Sequence, residues 1–214
     1  MDIQAKGLDY RALNEAIRAA GPSCRITGCL GQRFIGAGMS GRRVEIDGIP
    51  GNALGAYLVG GSLTVNGNAQ DAVGDTMNGG SIVVRGSVGD TAGYAMRGGE
   101  IYVQGNAGYR AGIHMKAYQE HFPVVVIGGK AGSFLGEYQA GGLILVLGIG
   151  QNGAYPVNNF CGTGMHGGRI VLRCDKAPTE LPRQVLVSEV SVDDMTEFAP
   201  YIKEYAQLFG ADAE

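Results

Sequence analysis

A parallel β-helix is the fold that this sequence predicts, and three observations carry the prediction. Glycine makes up 38 of the 214 residues, more than twice the usual share of about 7%. A unit of 19 residues repeats through the middle of the chain: "RVEIDGIPGNALGAYLVGG" is followed by "SLTVNGNAQDAVGDTMNGG", "SIVVRGSVGDTAGYAMRGG" and "EIYVQGNAGYRAGIHMKAY". Each unit opens on apolar residues that alternate with period two, the mark of a strand with one face buried. The architecture expected is all-β: a single-stranded, right-handed parallel β-helix of about seven coils of 19–20 residues, with a capping helix at each end. The repeat is too short for a propeller blade or a helical hairpin and lacks the leucine–asparagine scaffold of leucine-rich repeats.

The columns of the repeat give the details. Gly36, Gly55, Gly74, Gly93 and Gly112 stand 19 apart, and Met39, Leu58, Met77, Met96 and Met115 follow them three residues later. Treating "QEHF" after Tyr118 as an insert, with one further residue before Gly136, restores the register. A larger insert around "GQNGAYPVNNFC" precedes Gly162 and Met165. The pairs Val44/Ile46, Leu63/Val65, Ile82/Val84, Ile101/Val103, Val124/Val126, Ile144/Val146 and Ile170/Leu172 are predicted to face inward. Each coil should carry three short strands stacked on those of the next, rising about 4.8 Å per coil. The methionines should pack inside at one corner. The glycines should occupy bends with positive φ, so that Gly93→Val is damaging.

The ends leave the repeat in order. Residues 1–22 read as an N-terminal capping helix, with Asp9 as helix N-cap, Leu8 and Leu13 as a hydrophobic staple, and Gly21 as the stop. Tyr10, Leu13 and Ile17 form its apolar stripe. Residues 23–175 are the β-helix; its first strand, Cys24 to Leu30, does not keep the columns. Residues 176–214 begin as a linker at Pro178 and Pro182 and pass through Val185, Leu186 and Val187. Ser191 and Asp194 then start a helix in the manner of a capping box. Met195, Phe198, Ile202, Ala206 and Phe209 keep helical spacing, Pro200 should split the run in two, and Gly210 ends it. This tail would pack on the barrel end or a neighbouring face, or dock another protein.

Chemistry is sparse. A net charge of −3 and a pI near 5.6 give no electrostatic reason to expect nucleic acid. No apolar run approaches the roughly 20 residues of a membrane span, and no apolar signal core opens the chain, so a cytoplasmic location is expected. Cys24, Cys29, Cys161 and Cys174 contain no C-x-x-C and read as small apolar residues. The spelling G-x-G-x-x-G occurs at Gly36, Gly148 and Gly162. A dinucleotide turn must open a helix, whereas "RRVEI" and "GRIVL" follow Gly41 and Gly167 as strands, so the motif reads as repeat punctuation. The regular repeat breaks at "HMKAYQEHF", which makes His114, Lys116, Tyr118, Glu120 and His121 a candidate interaction loop. No residue is assigned a catalytic, cofactor-binding or metal-binding role.

The row pattern G-x-x-M-x-G-G followed by a strand, at Gly74–Val84 and Gly93–Val103, resembles the GXGXG domain family over about Arg25 to Arg173. That resemblance implies the β-helix found at the C-terminus of the glutamate synthase large subunit, and similarity to the C subunit of formylmethanofuran dehydrogenase. With "AKGLDYRALNEAIR" and "RAGIHMKAYQEHFPVVVIGGKAGSFLGEY", the chain looks most like the stand-alone glutamate synthase subunit of archaea and anaerobic bacteria. The resemblance implies amidotransferase and synthase subunits as partners. FMN and iron–sulfur clusters would reside in those partners and none in this chain. A homo-oligomer is compatible with it.

Overall fold

The period-two alternation at the head of each repeat builds one sheet of nine parallel strands stacked in chain order. The computed structural model describes residues 1–178 and 181–210, so residues 179–180 and 211–214 of the C-terminal segment lie outside the described residues. The strands are β1 (Asp2–Gln4), β2 (Ser23–Leu30), β3 (Arg42–Ile49), β4 (Gly61–Asn66), β5 (Ser81–Val84), β6 (Gly99–Val103), β7 (Pro123–Ile127), β8 (Ala140–Val146) and β9 (Gly167–Leu172). Helix α1 (Tyr10–Ala19) lies between β1 and β2, and α2 (Val192–Phe209) follows β9. Neighbouring strands of such a solenoid share backbone hydrogen bonds, so stability is nearly one-dimensional.

Two inward columns fill the core. Cys24, Val44, Leu63, Ile82, Ile101, Val125, Ile144 and Ile170 align in one, and Ile26, Ile46, Val65, Val84, Val103, Ile127, Val146 and Leu172 in the other. This corrects the expectation for β7. Val125 and Ile127 face inward, while Val124 and Val126 face out beneath α2. All five residues of β7 are buried. A strand covered on both faces carries no alternation to read. The register also shows that every extra residue of the first insert lies before β7, with none before Gly136, because Ala107 already pairs with Ala131.

Among the described residues only one side of the prism is a regular sheet, where three strands per coil were expected. A second side pairs through single bridges, Ala69 to Val88 to Ala107 to Ala131 to Val157. There the side chains of Asn68, Ser87 and Asn106 accept backbone N–H bonds from the following coil at 2.8–3.0 Å. The third side is the glycine corner. Inside it Met77, Met96 and Met115 are fully buried, Met39 nearly so, and Met165 half-buried at the last coil. Gln139 takes the methionine position of the preceding coil and points its amide at the Gly141 and Gly142 carbonyls, 3.2 Å away.

The N-terminal end is built differently from its sequence reading. The chain before α1 forms β1, parallel to β2. Strand β2 does keep the columns: Cys24 and Ile26 meet Val44 and Ile46, and a bulge between Ile26 and Cys29 hides the match. Asp9 caps α1 by accepting from the backbone N–H groups of Arg11 and Ala12. Leu13 and Ile17 are buried as expected, but Tyr10 is exposed and meets Phe34 edge-on at 5.8 Å. Asn14 takes the third buried place.

Helix α2 lies on the outer face of the sheet rather than over its end. Phe198 and Tyr205 pack on Tyr102, Val124, Val126, Leu143 and Leu145, an apolar half-face that would otherwise meet water. Pro200 does not divide the helix. Phe198 and Tyr205 anchor it on both sides of the proline to one surface, which offsets the missing N–H. Ser191 and Asp194 complete the predicted capping box, and Gly210 closes the helix at φ 66°. The Ser191 hydroxyl and backbone N–H hold the Asp194 carboxyl below its usual range. Arg169 pairs with Asp194 and Glu197 at the start of the helix, and Arg85 donates to the Leu208 carbonyl at its end, 2.8 Å away. The second contact places a cation at the negative end of the helix dipole. The Tyr205 hydroxyl donates to the Gln104 carbonyl at 2.9 Å, through space that only a glycine at position 128 leaves open. Tyr205→Phe should lower stability by about 1 kcal/mol, read as a shift in the urea midpoint. An unchanged midpoint would mean that the bond adds nothing to docking.

Candidate functional site

The glycine corner determines which side chains leave the barrel. In each coil three alternate residues take positive φ: Thr91, Gly93 and Ala95 in one, Arg110, Gly112 and His114 in the next, then Phe134, Gly136 and Tyr138. Backbone bonds enforce the alternation. Gly112 donates back to Ala92 of the coil before, whereas Arg110 and His114 donate forward to Ser133 and Glu137 of the coil after. The middle residue faces the core: a Cβ on Gly74 would lie 2.5 Å from Ile101 Cδ1, and one on Gly136 2.6 Å from Ile170 Cδ1. The same positive φ recurs at Gly36, Gly55 and Gly162. The flanking residues turn outward, so side chains at equivalent positions stack from coil to coil along one edge.

In the C-terminal half these stacks are aromatic and cationic. Phe134 lies on Phe160 with ring centres 4.8 Å apart, and the Arg110 guanidinium sits 4.7 Å from the Phe134 centre. Glu137, nearly buried, fixes Arg110 through a 2.8 Å ion pair. In the parallel stack His114 lies flat on Tyr138, 5.2 Å away at an interplanar angle of 13°, and Tyr94 meets His114 edge-on. Tyr94, Tyr138 and Phe160 are 38, 47 and 57% exposed. Rings held in place and left in water at this level are the raw material of protein interfaces.

The residues singled out from sequence divide between this edge and the insert. His114 belongs to the edge. Lys116 is exposed two residues further on. Tyr118 and His121 exchange backbone hydrogen bonds of 3.0 Å, making a tight turn with Glu120 near its tip. The turn folds back on the barrel, where a Cβ on Gly98 would meet His121 Cβ at 3.2 Å. Tyr94, Arg110, Phe134, Tyr138 and Phe160 escaped the sequence reading. They lie one or two residues to either side of the glycine column, and reading those flanking columns downward is the signal that finds them.

The remaining candidates carry little reactive character. Burial pushes the thiols of Cys29 and Cys161 up to about 11, which keeps them protonated near neutral pH. All four cysteines are free. Among the described residues no three of His, Cys, Asp and Glu converge as a metal site would require, and no helix is long and apolar enough to cross a membrane. The turn Gly36–Gly41 runs directly into β3.

Fold and edge together define a parallel β-solenoid that presents a repeated corner of aromatic and basic side chains. The GXGXG motif family matches residues 10–213, and the chain belongs to that family. It is 43% identical over 218 residues to the uncharacterized protein MJ1350 of Methanocaldococcus jannaschii, covering 97% of this chain and 84% of the relative. Among solved structures it is similar to a chain of the formyltransferase/hydrolase complex of Methylorubrum extorquens, determined with methylofuran. That likeness has a TM-score of 0.64 at 21% identity and covers 99% of this chain and 85% of the other. It is a likeness of fold.

Proposed function

We propose that this chain is a non-catalytic scaffold subunit of a multi-subunit glutamate synthase, the system that moves the glutamine amide onto 2-oxoglutarate. Amidotransferase and FMN/iron–sulfur synthase subunits pack around the solenoid, carry the cofactors and perform the chemistry. The observation that carries this reading is the exposed, pre-stacked aromatic edge on a chain matched to the GXGXG family over nearly its whole length. A surface of this kind suits lasting contact with other proteins, because its side chains are already ordered and lose little entropy on docking.

Native purification from the source organism tests it. The chain should arrive with a flavoprotein showing flavin and iron–sulfur absorbance, and adding it back should raise glutamine-dependent glutamate formation. A colourless chain that purifies alone and leaves that assay unmoved would overturn the reading. A second reading, a scaffold subunit of a formylmethanofuran dehydrogenase-like complex, is favoured by the fold likeness over 99% of the chain. Its mark in the same purification is a molybdenum or tungsten protein in place of the flavoprotein.

A further inference from the structure

We infer that the glycine-corner edge between Tyr94 and Tyr138 docks an acidic segment of a partner protein. The inference rests on the scaffold reading and adds the place and the chemistry of contact. Arg97 and Lys116 occupy the same column one coil apart, and the backbone N–H of Lys116 donates to the Met96 carbonyl of the coil before. Both side chains are exposed, and among the described residues neither enters an ion pair. Coils rise by about 4.8 Å, so two like charges stand on adjacent rungs, an arrangement that costs free energy in the isolated chain.

Three of the acidic groups nearby are already engaged. Glu137 is held by Arg110, Asp75 accepts from the Thr76 hydroxyl, and Asp90 accepts from the backbone N–H of Tyr109. Glu120 stands on the insert turn and is paired with neither cation. A second apolar surface, the outer half-face of the sheet, is covered in cis by α2. What remains open is an edge of ordered rings beside unneutralised positive charge. That combination is complementary to carboxylates on an extended polypeptide.

Calorimetric titration of the full chain with poly-L-glutamate tests this. Binding should be present at low salt, weaken as salt rises, and fall about tenfold or more in the Arg97→Glu/Lys116→Glu variant. Both side chains are exposed, so the melting temperature of the variant should stay close to that of the parent. Absence of binding, or equal binding by the variant, would overturn the inference. So would a single-stranded oligonucleotide that binds more tightly than poly-L-glutamate and is lost in the same variant. Native purification of the double variant separates this idea from the scaffold reading. Partner chains retained by the variant overturn the docking site alone. A parent chain that brings down no partner overturns the scaffold reading, and the titration still decides the edge.

Discussion

Gly93→Val should destabilise the chain by roughly 2–5 kcal/mol. Gly93 has φ +73°, where a β-branched residue is a genuine outlier. A Cβ there would also lie 3.1 Å from Val125 Cγ2, and valine places two further carbons in the packed interior. Backbone strain and overpacking therefore act together. The flanking residues separate the two effects. Thr91 and Ala95 take φ 58° and 49° without being glycine, because their side chains leave the barrel. Ala95→Gly should accordingly change stability by less than about 1 kcal/mol. Gly74→Val should be comparably damaging, since Gly74 has φ +70° and its Cβ would likewise face the packed core, against Ile101. Urea unfolding of the three variants supplies the order. A Gly93→Val midpoint equal to that of the parent would sink the view that this column must be glycine. Domain stabilities are only about 5–15 kcal/mol, so the upper part of the range removes much of the fold.

The solenoid was legible because a repeat states its own architecture. Gly36 to Gly112 and Met39 to Met115 fall on a fixed period, and strands β3 to β6 followed from apolar alternation alone. What stayed hidden had local causes. β7 lost its alternation because α2 buries its second face, so Val124 and Val126 appeared to be core-facing. β2 lost its columns to one bulge. Pro200 suggested a break, since a single sequence does not reveal that both halves of α2 share an apolar partner. The insert loop was visible as a gap in the period. The edge beside it was not, because ladders of Arg110, Phe134 and Phe160 mix residue types and are unified only by the direction in which the backbone turns them.

Asn14→Leu should be the most damaging substitution at the N-terminal end, at about 2–4 kcal/mol. Each corner glycine donates its N–H to the coil before it: Gly55 to Ile35, Gly74 to Leu54, Gly93 to Val73. Gly36 has no such corner ahead of it. Asn14 of α1 stands in for the missing backbone, its Oδ1 accepting from the buried Gly36 N–H at 2.9 Å. Its Nδ2 donates to the carbonyls of Phe34 and Tyr10 at 2.9 and 2.8 Å. One amide thus completes the first rung with both an acceptor and a donor. Leucine keeps the branched shape, is bulkier and offers neither, leaving a buried N–H without a partner. Asn14→Asp keeps the acceptor, loses the donor and adds a charge in a buried place, so it should also be costly. Because a solenoid opens from its ends, the Gly36 amide should exchange with deuterium far faster in the leucine variant, while amides of β5 and β6 stay protected. Slow exchange at Gly36 together with an unshifted melting temperature would mean that the first coil holds without its side-chain cap. The bare end of such a barrel is an open sheet edge, so a variant that frays there should also associate more readily at high concentration, with α1 and its buried Leu13 and Ile17 lifting off the first coil as the first step.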